Sequence, residues 1–501
     1  MSQLKKGAIL SYITIFLTNI VGLLLTPFII KSLGNAEYGL YTLIGAFVGY
    51  ISILDFGLNT TIVRFVAMYR AVKNKKEEEN FLFITMCIYG LISLIIVLVG
   101  VVLYFNLETI FSNTLTLDEL SKAKQMFLIL IFNLAITLPG GSFTAICSGY
   151  EHFVFPRTIN IIRYIVRSAL VLGLLLNGGD SISLVLLDTV MNILVILFNG
   201  LYVFKKLKVT FKFYEFKTPL VKEIFSYSIW VFILVLISQL QWKAGQVIIG
   251  VITNTNLVAI YAVGIMLGSY YGAFSSAITG VFLPRATKMI VENAKGKELT
   301  LMMIKIGRLV FLVLMILFSG FILFGKQFVL LWVGDTYIDS WFVALIIMIG
   351  YTTTLIQGFA NEILKAKSLF KYKAIVYFIF LSFGTLSGAF MVKTYGIIGM
   401  VTGTTIGWII AQIIMNIYFS KVIHLDIPLF FKKIYSKTIP SLFIIMVIGY
   451  FIENISGVGW INLGIKLVLY SSVYITIMYF FGILESEKEI FKKLITFLRI
   501  K

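Results

Sequence analysis

Apolar runs of roughly 20 residues, each long enough to cross a bilayer as a helix, recur along this chain from Ala8 to Leu484. Short polar stretches separate them. The runs are continuous and do not alternate with period two, so the pattern predicts helices and not the strands of a barrel. About fourteen spans are predicted. They run over 8–30, 38–63, 81–105, 125–147, 159–177, 181–204, 224–251, 258–283, 301–325, 339–364, 373–392, 397–419, 438–453 and 461–484. The expected class is therefore an all-α integral membrane protein.

A weak internal repeat organises these spans. Ile29-Ile30 ends the first, Asn35 lies in the turn, and Leu40-Tyr41 opens the second. Ile248-Ile249 ends the seventh, Asn254 lies in its turn, and Ile260-Tyr261 opens the eighth. Ser11-Tyr12 echoes Ser226-Tyr227. Six spans separate the copies, an even number, so the halves share an orientation. The expected architecture is two parallel, pseudo-symmetric six-helix lobes with a cavity between them, a transporter design. In residues, this gives an N-terminal lobe at 1–204, a cytoplasmic linker at 205–223 and a C-terminal lobe at 224–419. An extra helix pair follows at 438–484, then an amphipathic tail at 485–501 expected on the cytoplasmic leaflet.

Composition supports the spans. The chain is 59% hydrophobic, against about 45–50% in soluble domains. Only 13% of residues are charged, too few to solvate a soluble protein of 501 residues. The formal net charge of +19 is no nucleic-acid footprint, because the basic residues sit between spans. About 31 of them fall in one alternate set of loops and about 5 in the other, and the positive-inside rule then places both termini in the cytoplasm. Cys87 and Cys147 fall in apolar spans and are each expected as buried small hydrophobes, with no disulfide. The first span carries no small-residue cleavage site and is expected to be a retained helix, not a signal peptide.

A charge at bilayer depth costs at least about 2.5–3.5 kcal/mol, so each needs a partner or water. Asn160, Arg163 and Arg167 share one face of the fifth span. They suit a cationic wall for a phosphate-bearing or acidic substrate, since a guanidinium is always charged and grips phosphate through two hydrogen bonds. Snorkelling of both arginines to the inner leaflet is the alternative. Gln239, Lys243 and Gln246 share a face of the seventh span and suit the lining of a wet cavity. Asp188, with Asn192 one turn on, could pair with Arg167, bind a coupling cation or lie near the outer surface. Asp55 and Glu362 are further candidates for ion coupling or gating, with Asp339 and Glu362 readable simply as helix-end residues. Pro27, Pro139-Gly140-Gly141 and Pro284 mark possible kinks.

No enzyme signature accompanies these residues. The two histidines, His152 and His424, lie near the cytoplasmic surface, and neither a metal-spaced cluster nor a Walker motif occurs. No cofactor and no nucleic-acid partner are expected. Transport would be passive or ion-coupled, with proton or sodium as the coupling ion.

The stretch Leu33-Gly34-Asn35-Ala36-Glu37-Tyr38-Gly39-Leu40-Tyr41 resembles the LG-x-x-x-YG-x-Y turn of bacterial polysaccharide-export proteins. Leu54-Asp55-Phe56-Gly57-Leu58 followed by Arg64-Phe65-Val66-Ala67 resembles their second helix, and Asn361-Glu362-Ile363-Leu364-Lys365-Ala366-Lys367 their tenth-helix exit. The chain is thus similar to Wzx-type O-antigen or capsule flippases of the MATE-like MOP exporter superfamily. The resemblance implies alternating-access movement of an undecaprenyl-pyrophosphate-linked oligosaccharide from the inner to the outer leaflet of the bacterial cytoplasmic membrane. Partners would be that glycolipid, membrane lipids and other polysaccharide-assembly proteins. Related lipid II flippases carry an arginine late in the first helix, where this chain has Leu25, which argues against a lipid II carrier. Two rivals remain: a multidrug or organic-cation antiporter of the same fold, which would want acidic lumen residues, and a membrane polysaccharide polymerase. The polymerase would want a sizeable outer loop, but the longest expected one, at about 106–124, holds only Glu108, Asp118 and Glu119 as acids.

Overall fold

The computed structural model describes residues 3–55, 58–216, 218–367, 369–484, 487 and 488; within these, side chains are described except at 3–9, 12, 55, 219–228, 230, 231 and 281. Among the described residues the regular structure is helical throughout, with no strand. The helices are α1 (Gln3–Leu33), α2 (Asn35–Ile51), α3 (Leu58–Ala71), α4 (Lys75–Phe111), α5 (Leu117–Gly149) and α6 (Val154–Leu176). Then come α7 (Ser181–Leu201), α8 (Thr218–Trp242), α9 (Ala244–Ile252), α10 (Thr255–Thr279), α11 (Leu283–Val291) and α12 (Gly296–Val333). The rest are α13 (Asp339–Ile356), α14 (Gly358–Ala366), α15 (Phe370–Val422), α16 (Ile427–Glu453) and α17 (Gly459–Ile477).

Local chemistry sets the ends. Gly34, at φ 80° and ψ 166°, turns the chain between α1 and α2 in a region a side chain would strain. Thr116 and Glu119 form a reciprocal capping box at the start of α5. Asp180 caps α7 by accepting from the Ser183 amide at 2.9 Å. Burial alone would push the Asp180 carboxyl up, but the bonds from Ser183 outweigh it and hold it below the usual range.

Twelve described helices are long and apolar enough to cross a membrane, and thirteen if the bent pair Phe232–Trp242 and Ala244–Ile252 is one span. Their outward faces are apolar, as at Phe105, 74% exposed, and Phe390, 78% exposed. This is a multi-pass membrane protein. The count of fourteen is not reached on this measure because the segments expected at 373–392 and 397–419 run together as α15. That helix has 53 residues, about 80 Å at 1.5 Å each, against a hydrocarbon core of about 30 Å. The backbone leaves helical geometry at Gly396, with φ 55° and ψ −141°, and so divides it. Small residues let the two arms touch: a Cβ at Gly384 would lie 2.7 Å from the Gly403 carbonyl oxygen.

By contact clustering the described chain forms two compact units. One takes residues up to Ala262 together with Gly388–Met400; the other takes Val263–Ser387 and residues from Val401 on. The division falls within α10 and α15, not at 205–223. In the first unit, α5 packs against α3, α4 and α7, and α1 lies along α6. In the second, α12 is the hub, packed on α13, α16 and α17. The extra helix pair is thus built onto α12.

Two expectations change. Cys147 is buried, but Cys87 is exposed on α4. The loop expected on the outer side at about 106–124 shrinks to Ser112–Thr116, because both helices run further than their apolar cores. The amphipathic tail expected at 485–501 lies outside the described residues apart from Glu487 and Lys488.

Candidate functional site

On α6, Asn160, Arg163 and Arg167 are all half-buried. Arg167 is engaged: its Nε and Nη2 both donate to the Asp188 carboxylate on α7, the second at 2.9 Å. The Tyr41 hydroxyl, on α2, reaches the same carboxylate at 3.4 Å. Of the three roles open to Asp188, pairing with Arg167 is the one the geometry displays. A bidentate pair cancels charge and fixes orientation, so this corner braces α6 against α7. Arg167 is therefore not a free element of a cationic wall. Asn192, one turn further, donates to Asn133 at 2.9 Å and Thr137 at 2.8 Å on α5.

Arg163 differs. Its Nε is buried and has no hydrogen-bond partner among the described residues. No ion pair engages its guanidinium there either.

Lys243 sits where α8 and α9 bend by 48°. Its backbone, at φ −121° and ψ −30°, falls off the helix, while its amide still donates to the Gln239 carbonyl at 2.9 Å. A break of this kind frees backbone groups, which is tolerated at membrane depth only beside protein or water. The side chain is half-buried and, among the described residues, no carboxylate pairs with it. Gln246, one turn on, is 4% exposed, and its Oε1 has no partner among the described residues. Gln239 lies against Gly49 of α2, where a Cβ would sit 3.5 Å from its amide oxygen. The Tyr261 ring covers Gly245. The bend therefore gathers two amides and an ammonium that no described carboxylate pairs, groups suited to anionic and hydroxylated ligands.

The remaining candidates resolve differently. Glu362, on α14, is buried and pairs with Lys365 at 2.7 Å. The Asp55 side chain lies outside the described residues. His152 meets the Tyr202 hydroxyl through Nδ1 at 2.8 Å. No group of three or more His, Cys, Asp or Glu residues that could hold a metal occurs among the described residues.

Sequence reasoning missed two clusters. Gln357, between α13 and α14, is fully buried. Its Oε1 accepts from Gln412. The Gln412 Oε1 in turn accepts from Tyr377 and from Thr354 at 3.0 Å, while Trp408 donates to the Thr354 hydroxyl at 2.8 Å. Glutamines inside apolar runs were the available signal. The second cluster is Arg308 on α12, 1% exposed as a side chain. It donates to Glu487 at 2.5 and 2.9 Å, to the Lys433 carbonyl at 2.6 Å and to the Gly482 carbonyl at 2.9 Å.

The profile of the family described as "Polysaccharide biosynthesis protein" matches residues 4–290. A Shigella flexneri protein described as "Putative O-antigen transporter" is 23% identical over 398 residues, covering 77% of this chain and 90% of that protein. Among solved structures, the chain is similar to "Lipid II flippase MurJ, inward closed conformation" at a TM-score of 0.69 and 16% identity, covering 95% of this chain and 98% of that one. It is also similar to an inward-facing multidrug resistance MATE family transporter of the MOP superfamily, with a TM-score of 0.58, 16% identity, and coverage of 83% and 97%. The two structures share its fold.

Proposed function

Because the chain belongs to the polysaccharide biosynthesis protein family, we propose that it is a flippase for an oligosaccharide linked to undecaprenyl pyrophosphate. It moves the glycolipid from the cytoplasmic to the outer leaflet of a bacterial cytoplasmic membrane by alternating access, with both termini in the cytoplasm. The observation that carries this reading is Lys243, a cation that no described carboxylate pairs, set at a bend within a span. A sugar chain with a pyrophosphate cannot enter hydrocarbon, because its polar groups would lose their hydration. On this reading the ammonium of Lys243, the guanidinium of Arg163 and the amides of Asn160, Gln239 and Gln246 supply replacement partners along the path. In exchange, the pyrophosphate neutralises charges that the protein leaves unpaired. The lipid tail stays among other lipids.

Proton or sodium coupling fits the same scheme. With Asp188 and Glu362 engaged in ion pairs, Asp55 is the carboxylate proposed for that role. The same engagement disfavours an organic-cation antiporter, which would need free acids. Contact with other polysaccharide-assembly proteins belongs to the proposal as well.

The test is deletion in the host with complementation. Loss of the gene should remove surface glycan and accumulate lipid-linked repeat units on the cytoplasmic side; the wild-type gene should restore export. Lys243→Ala, at normal membrane level, should not. Unchanged glycan with no accumulated intermediate on deletion would overturn the function. Full complementation by both Lys243→Ala and Arg163→Ala would overturn the role of the cations.

A further inference from the structure

Within the linker expected at 205–223, residues 207–216 are strapped along the start of α4. The Asn80 side chain treats the strap as a strand edge would: its Nδ2 donates to the Glu215 carbonyl at 2.8 Å, and its Oδ1 accepts from the Tyr214 and Glu215 amides at 2.9 and 3.1 Å. Glu79 beside it accepts from the Thr210 hydroxyl and, at 2.7 Å, from the Tyr214 hydroxyl. The Phe213 and Phe83 rings meet at 5.5 Å. Glu79 and Asn80 are buried, so leaving the strap unpaired would strand both.

What the strap turns outward is unusual. Over 204–216, Lys205, Lys206, Lys208 and Lys212 are exposed, Lys212 with its Nζ 3.9 Å from Glu79, and so are Phe204 and Phe213, each with one side against another ring, and Phe216. One acid, Glu215, accompanies them. The inward positions are Val209, which is buried, and Phe211, which packs on Phe204 at 5.7 Å. The strap leaves directly from a candidate span that ends at Lys206, so it lies where that helix exits the membrane. Aromatic rings and lysines together favour the headgroup layer, the rings for its amphipathic depth and the ammonium groups for anionic phosphate. A soluble acidic partner would use the lysines but leave the rings in water.

From this juxtaposition of a pinned backbone, four exposed lysines and three exposed aromatic rings, we infer that residues 204–216 are a docking surface for anionic phospholipid headgroups of the adjoining leaflet. The inference does not depend on what the protein carries. The connection toward α8 is then held at the membrane surface as far as Phe216.

The test uses the full chain in lipid nanodiscs. In a Cys87→Ser background, Phe216→Cys is labelled with a small fluorophore, and quenching is compared for brominated phosphatidylglycerol and brominated phosphatidylcholine at equal mole fraction. Quenching by the anionic lipid should be about threefold stronger, and replacing Lys205, Lys206 and Lys208 with Gln, which leaves the Lys212–Glu79 pair in place, should bring the ratio to about one. Equal quenching by both lipids in the lysine-bearing chain would overturn the inference. So would quenching by neither lipid with free access of aqueous iodide, the result expected if a soluble partner or bulk water faces the strap.

Discussion

The two compact units treat buried positive charge in different ways. In the second, Arg308 is enclosed by a carboxylate and two carbonyls. Lys373 donates to Asn361 at 2.8 Å, and the buried Lys466 to Gln327 at 3.3 Å. In the first, Arg167 has Asp188, but Arg163 and Lys243 have no acidic partner among the described residues. Where a partner is supplied, the charge acts as a brace. Where none is supplied, the cost of desolvation persists in the resting protein and falls only when something anionic arrives. The contrast separates residues that hold the fold from the residues proposed to meet the ligand.

Substitutions can break that contrast, beginning with the braces. Arg308→Ala should cause the largest loss, about 3–5 kcal/mol, because it strands Glu487 without its partner. Thermal unfolding in detergent and membrane protein level would measure it, and Arg308→Lys should not restore both bonds to the carboxylate. Arg167→Ala and Asp188→Ala should each destabilise by about 2–4 kcal/mol, since each leaves one charge uncompensated. The double variant should lose less than the sum, and a full double-mutant cycle would show additivity if the pair does not form. Gly396→Ala should cost about 1 kcal/mol from its φ of 55° alone. Smallest on the stability scale, Lys243→Ala should change unfolding by under about 0.5 kcal/mol or stabilise the protein slightly, yet reduce glycan export sharply. A large drop in its melting temperature would turn Lys243 into another brace and erase the distinction.

Much of the fold was legible in the sequence because hydrocarbon imposes a simple rule on it. Apolar runs of fixed length located the spans, and the Leu33–Tyr41 stretch located both the first turn and the family. The single helix α15 was read as two spans because about 50 apolar residues exceed any bilayer, and Gly396 supplies the interruption. The partners of charges were much less legible. Asp188 sits 21 residues from Arg167, and a helix-face argument offered it as one of three roles. Glu487 is 179 residues from Arg308, in a stretch that reads as a surface tail, so nothing local joins them. The strap was hidden for a similar reason: Glu79 and Asn80 stand in the charged run Lys75–Asn80, which reads as a solvated helix start. Their partners lie some 131 to 135 residues away, and only folding brings them together.

The Arg308 enclosure has a practical consequence for anyone engineering the chain. Hydropathy invites trimming just beyond the final helix, since all that follows looks dispensable. A protein cut before Glu487 would keep every hydrophobic crossing and still carry a sealed-in guanidinium facing an empty seat. Extensions added behind that glutamate should be tolerated far better than deletions that remove it.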